Sequence, residues 1–104
     1  MRVKVIVEHK GEDIEMRLVQ FTHGSVTLSC GLGKAHYCEA REGIESPSNA
    51  EMAVWREGQS LEQIGDDTVA GWADLALLPE LLVLLMEEGA KKKIAKVLAE
   101  RVRA

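Results

Sequence analysis

The chain reads as an α+β domain: an antiparallel β-meander of about four strands over residues 1–41, followed by and packed against three to four helices over 48–103. Two observations predict this. Apolar residues alternate with polar ones through the first forty positions, the pattern of strands with one wet face. From Ser46 onward, capping signals and a Leu-rich run replace the alternation. With 104 residues there is material for one core, so residues 1–104 are expected to form a single domain, strand-rich over 1–41 and helical over 46–104.

In the first strand Val3, Val5 and Val7 alternate with Lys4 and Glu8, and only Ile6 interrupts the polar face. A turn at His9-Lys10-Gly11-Glu12 leads to a second strand in which Ile14, Met16 and Leu18 alternate with Glu15 and Arg17. After His23-Gly24, Val26, Leu28 and Cys30 alternate with Ser25, Thr27 and Ser29, which predicts a third strand. A fourth, roughly from Lys34 to Arg41, would close the meander.

Ser48-Asn49-Ala50-Glu51 fits a capping box, Pro47 cannot continue a strand ladder and Gly58 supplies a stop, so a helix is predicted near 49–57 with Met52 and Trp55 as its buried stripe. Ser60-Leu61-Glu62-Gln63 is a second capping box, leading a short turn that Gly65 ends. Asp66 or Asp67 can cap a further helix carrying Trp72, Leu75 and Ala76 on one face, and Pro79 starts a fresh helix or kinks that one. Leu78, Leu82, Leu85 and Met86 form one stripe of the last segment, continued by Ile94, Val97, Leu98 and Val102 if the helix runs past Gly89. Leu77, Leu81 and Leu84 lie on the other side of the same cylinder. A helix apolar on both sides is either buried from both sides or turns one stripe to another molecule.

The totals narrow the class. Hydrophobic residues at 46% and charged residues at 29% give a globular balance rather than a disordered one. Two cysteines, Cys30 and Cys38, are too few for a disulfide scaffold, so a reducing, cytoplasmic setting is expected. The N-terminus mixes charge with β-branched residues and does not read as a signal peptide. The apolar run from Leu81 to Met86 falls short of the ~20 residues of a membrane span, and no membrane is expected as a partner. The net charge of −4 conceals an asymmetry: residues 1–89 hold 7 basic and 16 acidic side chains (−9), and residues 90–104 hold 6 basic and 1 acidic (+5). The default reading of Lys91, Lys92, Lys93 and Lys96 is a solvated helix face; the sharper one is a basic tail that touches an acidic surface such as nucleic acid.

Candidate chemistry is thin. His36-Tyr37-Cys38 places two ligand types two apart, with Cys30 and His23 upstream, so a zinc-stabilised module is one alternative. A two-residue hairpin loop, Leu32-Gly33, puts His36 and Cys38 on the face opposite Cys30, whereas the three-residue loop Gly31-Leu32-Gly33 puts all three on one face. No Cys-x2-Cys pair is present, and buried free thiols are the default, so no metal ligands are assigned. Gly31-Leu32-Gly33-Lys34 precedes a strand rather than a helix, which fits a hairpin turn better than a phosphate cradle. Cys38 with His23 or His36 and Glu39 lacks any nucleophile-elbow pattern. No catalytic residue, enzyme activity or cofactor is therefore expected.

Two local likenesses remain. Arg56 to Gly65, with its Gly58-Gln59-Ser60-Leu61-Glu62-Gln63-Ile64 core, resembles the opening of the second helix pair of a helix-turn-helix. That resemblance implies a DNA-binding regulator, with the basic tail in support. Yet the segment where a recognition helix should follow, Asp66 to Leu78, has no Lys or Arg with which to hold phosphates. Trp72 to Leu82, with its Leu78-Pro79-Glu80-Leu81-Leu82 kink, is similar to the Ala-Pro-Glu-Leu-Leu segments of small phage-encoded proteins, departing at Leu78 where that pattern has Ala. The resemblance implies an accessory role, and the −9 balance of residues 1–89 adds an inhibitor-type version that engages a basic protein. The leading expectation is a non-enzymatic interaction protein that binds another protein and self-associates as a homodimer through the 72–88 helix, with Leu77, Leu81, Leu84 and Trp72 at the interface.

Overall fold

The computed structural model describes residues 1–10, 14–33 and 48–102. Among these, five strands form one antiparallel sheet in chain order: β1 (Arg2–Lys10), β2 (Ile14–His23), β3 (Val26–Gly33), β4 (Asn49–Arg56) and β5 (Ala70–Asp74). A short 3-10 turn (Leu75–Leu77) runs into α1 (Leu78–Leu85), and α2 (Ala90–Val102) follows. The class is α+β as the sequence predicts, with five strands and two α-helices instead of about four strands and three to four helices. The expected fourth strand over 34–41 lies outside the described residues.

Register explains the core. Val3 stands opposite Phe21, and Val5 opposite Val19. Phe21 and Val19 stand opposite Leu28 and Cys30. Leu28 and Cys30 in turn stand opposite Val54 and Met52. Opposed residues of antiparallel strands share a face, so these form one continuous inner surface. The helices cover only part of it: α1 lies against β2 and β3, and α2 against β4 and β5. Beneath them Leu28, Met52 and Val54 are fully buried with Leu81, Leu85, Ile94 and Leu98. Each such side chain contributes about 1.5–3 kcal/mol by leaving water.

Two hairpin details follow from local chemistry. His23 pairs with Val26, so Gly24-Ser25 is a two-residue loop, and Gly24 supplies the positive φ of 60° that such a loop needs. The register of β2 also differs from the simple alternation. Val19 and Phe21 share the face of Val3 and Val5, and Leu18 lies opposite Ile6 on the outer face.

The second half departs most from expectation. Residues 49–56 form a strand, with Ala50, Met52 and Val54 buried at period two. The capping-box pattern at Ser48–Glu51 and the helix-forming Ala, Glu and Met residues favour a helix locally. Pairing with β3 from Val26 to Gly31 outweighs that preference, because it satisfies the ladder and buries the inner row together. Residues 60–63 form no helix either. The loop is fixed by Glu62 N–H donating to the Val54 carbonyl at 2.8 Å, and Ile64 is buried in the core. Nor do Asp66–Leu78 form a recognition helix, since the segment turns into β5, so the helix-turn-helix likeness does not extend to three dimensions.

The last strand passes directly into the helices. The Asp74 carboxylate accepts from Ala76 N–H at 2.8 Å and caps the 3-10 turn. Pro79 then sits in the first turn of α1, where a missing N–H costs nothing. The 72–88 helix is therefore a strand end, a 3-10 turn and an eight-residue helix. Gly89, at φ 72°, lets the chain reverse before α2, so the helix does not run through it.

Because Leu81 is fully buried and Val83 is exposed on the same helix, the two should respond differently to truncation. Leu81→Ala is expected to cost about 2–5 kcal/mol in urea unfolding, whereas Val83→Ala should stay within about 0.5 kcal/mol of the parent.

Candidate functional site

The predicted interface residues divide between core and surface. Leu81 is fully buried, Leu77 is buried in the 3-10 turn, and Leu84 is half-buried against the same cluster. Leu77 and Leu81, expected at a dimer seam, therefore face the core of the chain itself. What α1 leaves exposed is Val83 and Met86. Trp72 is on β5, 55% exposed, with a left-handed φ of 53°. It lies beside the register shift between Ala50 and Met52 of β4. A bulky residue in that conformation carries about 1–2 kcal/mol of backbone strain.

The basic tail is partly consumed by the fold. Lys91 Nζ lies 3.0 Å from a Glu62 carboxylate oxygen and donates to Gln59 Oε1 at 2.8 Å. It thereby ties α2 to the loop after β4. Lys92 stands 3.8 Å from the same Glu62 carboxylate, and Lys93 stands 3.9 Å from Glu87. Lys96 is exposed. Farther along α2, Arg101 lies 3.4 Å from Glu80 on α1. Exposed pairs of this kind contribute little, typically 0–1 kcal/mol.

Of the thiol and imidazole candidates, His36 and Cys38 lie outside the described residues. Cys30 is buried on the inner face opposite Met52, and His23 is exposed at the end of β2. Burial pushes the Cys30 thiol up to about 12, so near neutral pH it is a small hydrophobe rather than a nucleophile or a ligand. Among the described residues no group of three or more His, Cys, Asp and Glu side chains converges on a metal-sized site. Among the described residues no helix is long and apolar enough to cross a membrane.

Two surfaces remain. On the outer face of the sheet, a shallow hollow is lined by Arg2, Gln20, Thr22, Thr27, Trp55 and Gln59. Thr22 and Thr27 hydrogen-bond to each other across it at 2.9 Å. On the inner face, the part of the sheet beyond the helices ends at β1. There Val3, Val5 and Val7 are 60%, 65% and 52% exposed in alternate positions. The alternation itself is visible in the sequence. That the helices stop short of it is not, and this is why the valines look like core residues until the helices are placed.

The two ends of the sheet differ in how they are finished. β5 is five residues long, has a shifted register and lies against α2. Short, irregular and covered strands are the usual protection against unwanted pairing. β1 is nine residues long and keeps an unbroken register with β2. Its outward backbone groups and its valine row form the largest unfinished feature of the described sheet. Comparison with known proteins adds no relative: no family model, curated protein or solved structure matches the chain.

Two outcomes test this account of the side chains. Lys91→Ala should cost about 1 kcal/mol and speed hydrogen exchange at the Glu62 amide, while Lys96→Ala should change neither. For Cys30, the folded state keeps the thiol proton to about pH 12 whereas the unfolded chain releases it near 9.0. Unfolding is then favoured as the pH rises through that window, by about 1.4 kcal/mol per pH unit. In a Cys38→Ser background, native Cys30 should resist alkylation at pH 8 and react on unfolding, and Cys30→Val should flatten the alkaline loss of stability.

Proposed function

We propose that the protein is a non-enzymatic interaction module, an accessory protein that binds a protein partner along its β1 edge. The observation that carries this reading is the exposure of Val3, Val5 and Val7 in a row on a long edge strand. An edge strand offers N–H and C=O groups to a partner strand, and alternate side chains supply the specificity. Valine suits that use, because its branched side chain is stiff and loses little freedom when it is covered.

The helix-face dimer expected from the Leu-rich segment is replaced in this reading by contact through the sheet. The nucleic-acid alternative has less to work with, since Lys91 is engaged with Glu62 and Gln59.

The test is a photo-crosslinking amino acid placed at position 3, with position 83 as an equally exposed apolar control. The reading expects discrete adducts from position 3 inside cells, lost in a Val5→Thr, Val7→Thr background. Thr keeps the strand preference of Val, so thermal stability should stay within about 1 kcal/mol of the parent. Equal, diffuse labelling from both positions would remove the β1 edge as the binding surface.

A further inference from the structure

From the same edge we infer the partner: a second copy of this chain, whose β1 pairs antiparallel with the first about a two-fold axis at Val5. The proposal rests on the reading of β1 as the contact edge, and it adds the identity of the partner and the register of the contact.

The register argument comes from the strand itself, Arg2-Val3-Lys4-Val5-Ile6-Val7-Glu8. A two-fold axis between antiparallel strands runs perpendicular to the sheet, so it passes through the pairing of one residue with its own copy and keeps inner faces together. Centred on Lys4, the contact would set two ammonium groups directly opposite each other, which is unfavourable. Centred on Ile6, it would set Lys4 opposite Glu8 of the partner subunit, but also Arg2 opposite Lys10 of the partner subunit and Val3 opposite His9 of the partner subunit. A like-charge pair then offsets the opposite-charge one, and the valine row loses an end. Centred on Val5, it sets Val5 opposite Val5 of the partner subunit and Val3 opposite Val7 of the partner subunit. On the outer face the same register sets Arg2 opposite Glu8 of the partner subunit, and Lys4 opposite the apolar Ile6 of the partner subunit. Basic at its start, acidic near its end and valine at every inner position between, the strand is complementary to its own reverse without a like-charge pair only about Val5.

Pairing there would join two five-stranded sheets into one of ten strands, with both helical layers on the same side. Each exposed valine would gain an apolar neighbour across the join, and the outward N–H and C=O groups of β1 would be satisfied. Trp72 and the β5 edge would then lie at the two far ends.

The test uses the purified full chain in a Cys38→Ser background, with single cysteines on the surface and light scattering on the same samples. Opposed side chains in an antiparallel pair are close enough for a disulfide. Val5→Cys should therefore give a covalent dimer under mild oxidation, at least ~10-fold faster than Val83→Cys, since paired thiols meet at a high effective concentration. Val3→Cys mixed with Val7→Cys should give the mixed dimer faster than either gives its own. Lys4→Cys dimerising faster than Val5→Cys would overturn the register. A strict monomer at high micromolar concentration would overturn the second copy as partner. If position 3 still cross-links to a different protein in cells, that monomer result removes this inference and leaves the interaction reading standing.

Discussion

The inner rows of β3 and β4, with Val26, Leu28 and Cys30 opposite Arg56, Val54 and Met52, are the surface on which both helices rest. Once these two strands are in register, Leu81, Leu85, Ile94 and Leu98 pack over them in one buried cluster, which Ala70 and Ala73 of β5 complete. The pairing also joins the two halves of the sequence. β3 belongs to the hairpin-rich start, β4 opens the half that looks helical, and the core exists only where they meet. The loop after β4 depends on it as well, since Glu62 N–H reaches back to the Val54 carbonyl and Lys91 holds the loop against α2.

How far the sequence could be read depended on which scale of interaction decided each element. β1, β2 and β3 were legible as strands, because period-two alternation and a Gly at the hairpin turn act within a few residues. The inner face of β2 was not, since Val19 and Phe21 take it in place of Leu18. β4 was not, although Ala50, Met52 and Val54 do alternate. Ala, Glu and Met favour a helix locally, Ser48 and Glu51 have capping spacing, and only the partner strand β3 decides against them. Trp72 misled for a similar reason: it occupies a left-handed position in a strand, which no local rule assigns to tryptophan. The Leu-rich segment was legible as helix but not as to which side faced inward. With Leu on both sides, periodicity cannot rank them, and Leu77 and Leu81 fell inside. Gly89 was legible as a possible break, and the chain does reverse there.

Charge tells a related story. The surplus of basic residues after position 90 reads by default as a solvated helix face and, more sharply, as a tail for an outside partner, because only Glu87 and Glu88 among the acidic residues before it are near in sequence. Folding brings the two together. Lys91 meets Glu62, Lys93 meets Glu87 and Arg101 meets Glu80, so part of the asymmetry along the chain is internal complementarity between α2 and what precedes it. A one-dimensional charge profile therefore overstates how polarised the folded surface is.

The same reasoning separates the two ends of the sheet. A binary pattern records that a strand has an apolar face, and coverage of that face is settled by elements elsewhere in the chain. Two helices of eight and thirteen residues span the sheet from β5 to β2 and leave β1 with an apolar row facing water. An apolar edge in that state invites indiscriminate pairing. Lys4 and Arg2 on the outer face restrict the invitation, since a partner strand must place nothing basic opposite them. In the proposed edge contact, selectivity comes from the face that carries the charges and adhesion from the face that carries the valines. A strand built in this way discriminates among partners by register, which a uniformly apolar strand cannot do.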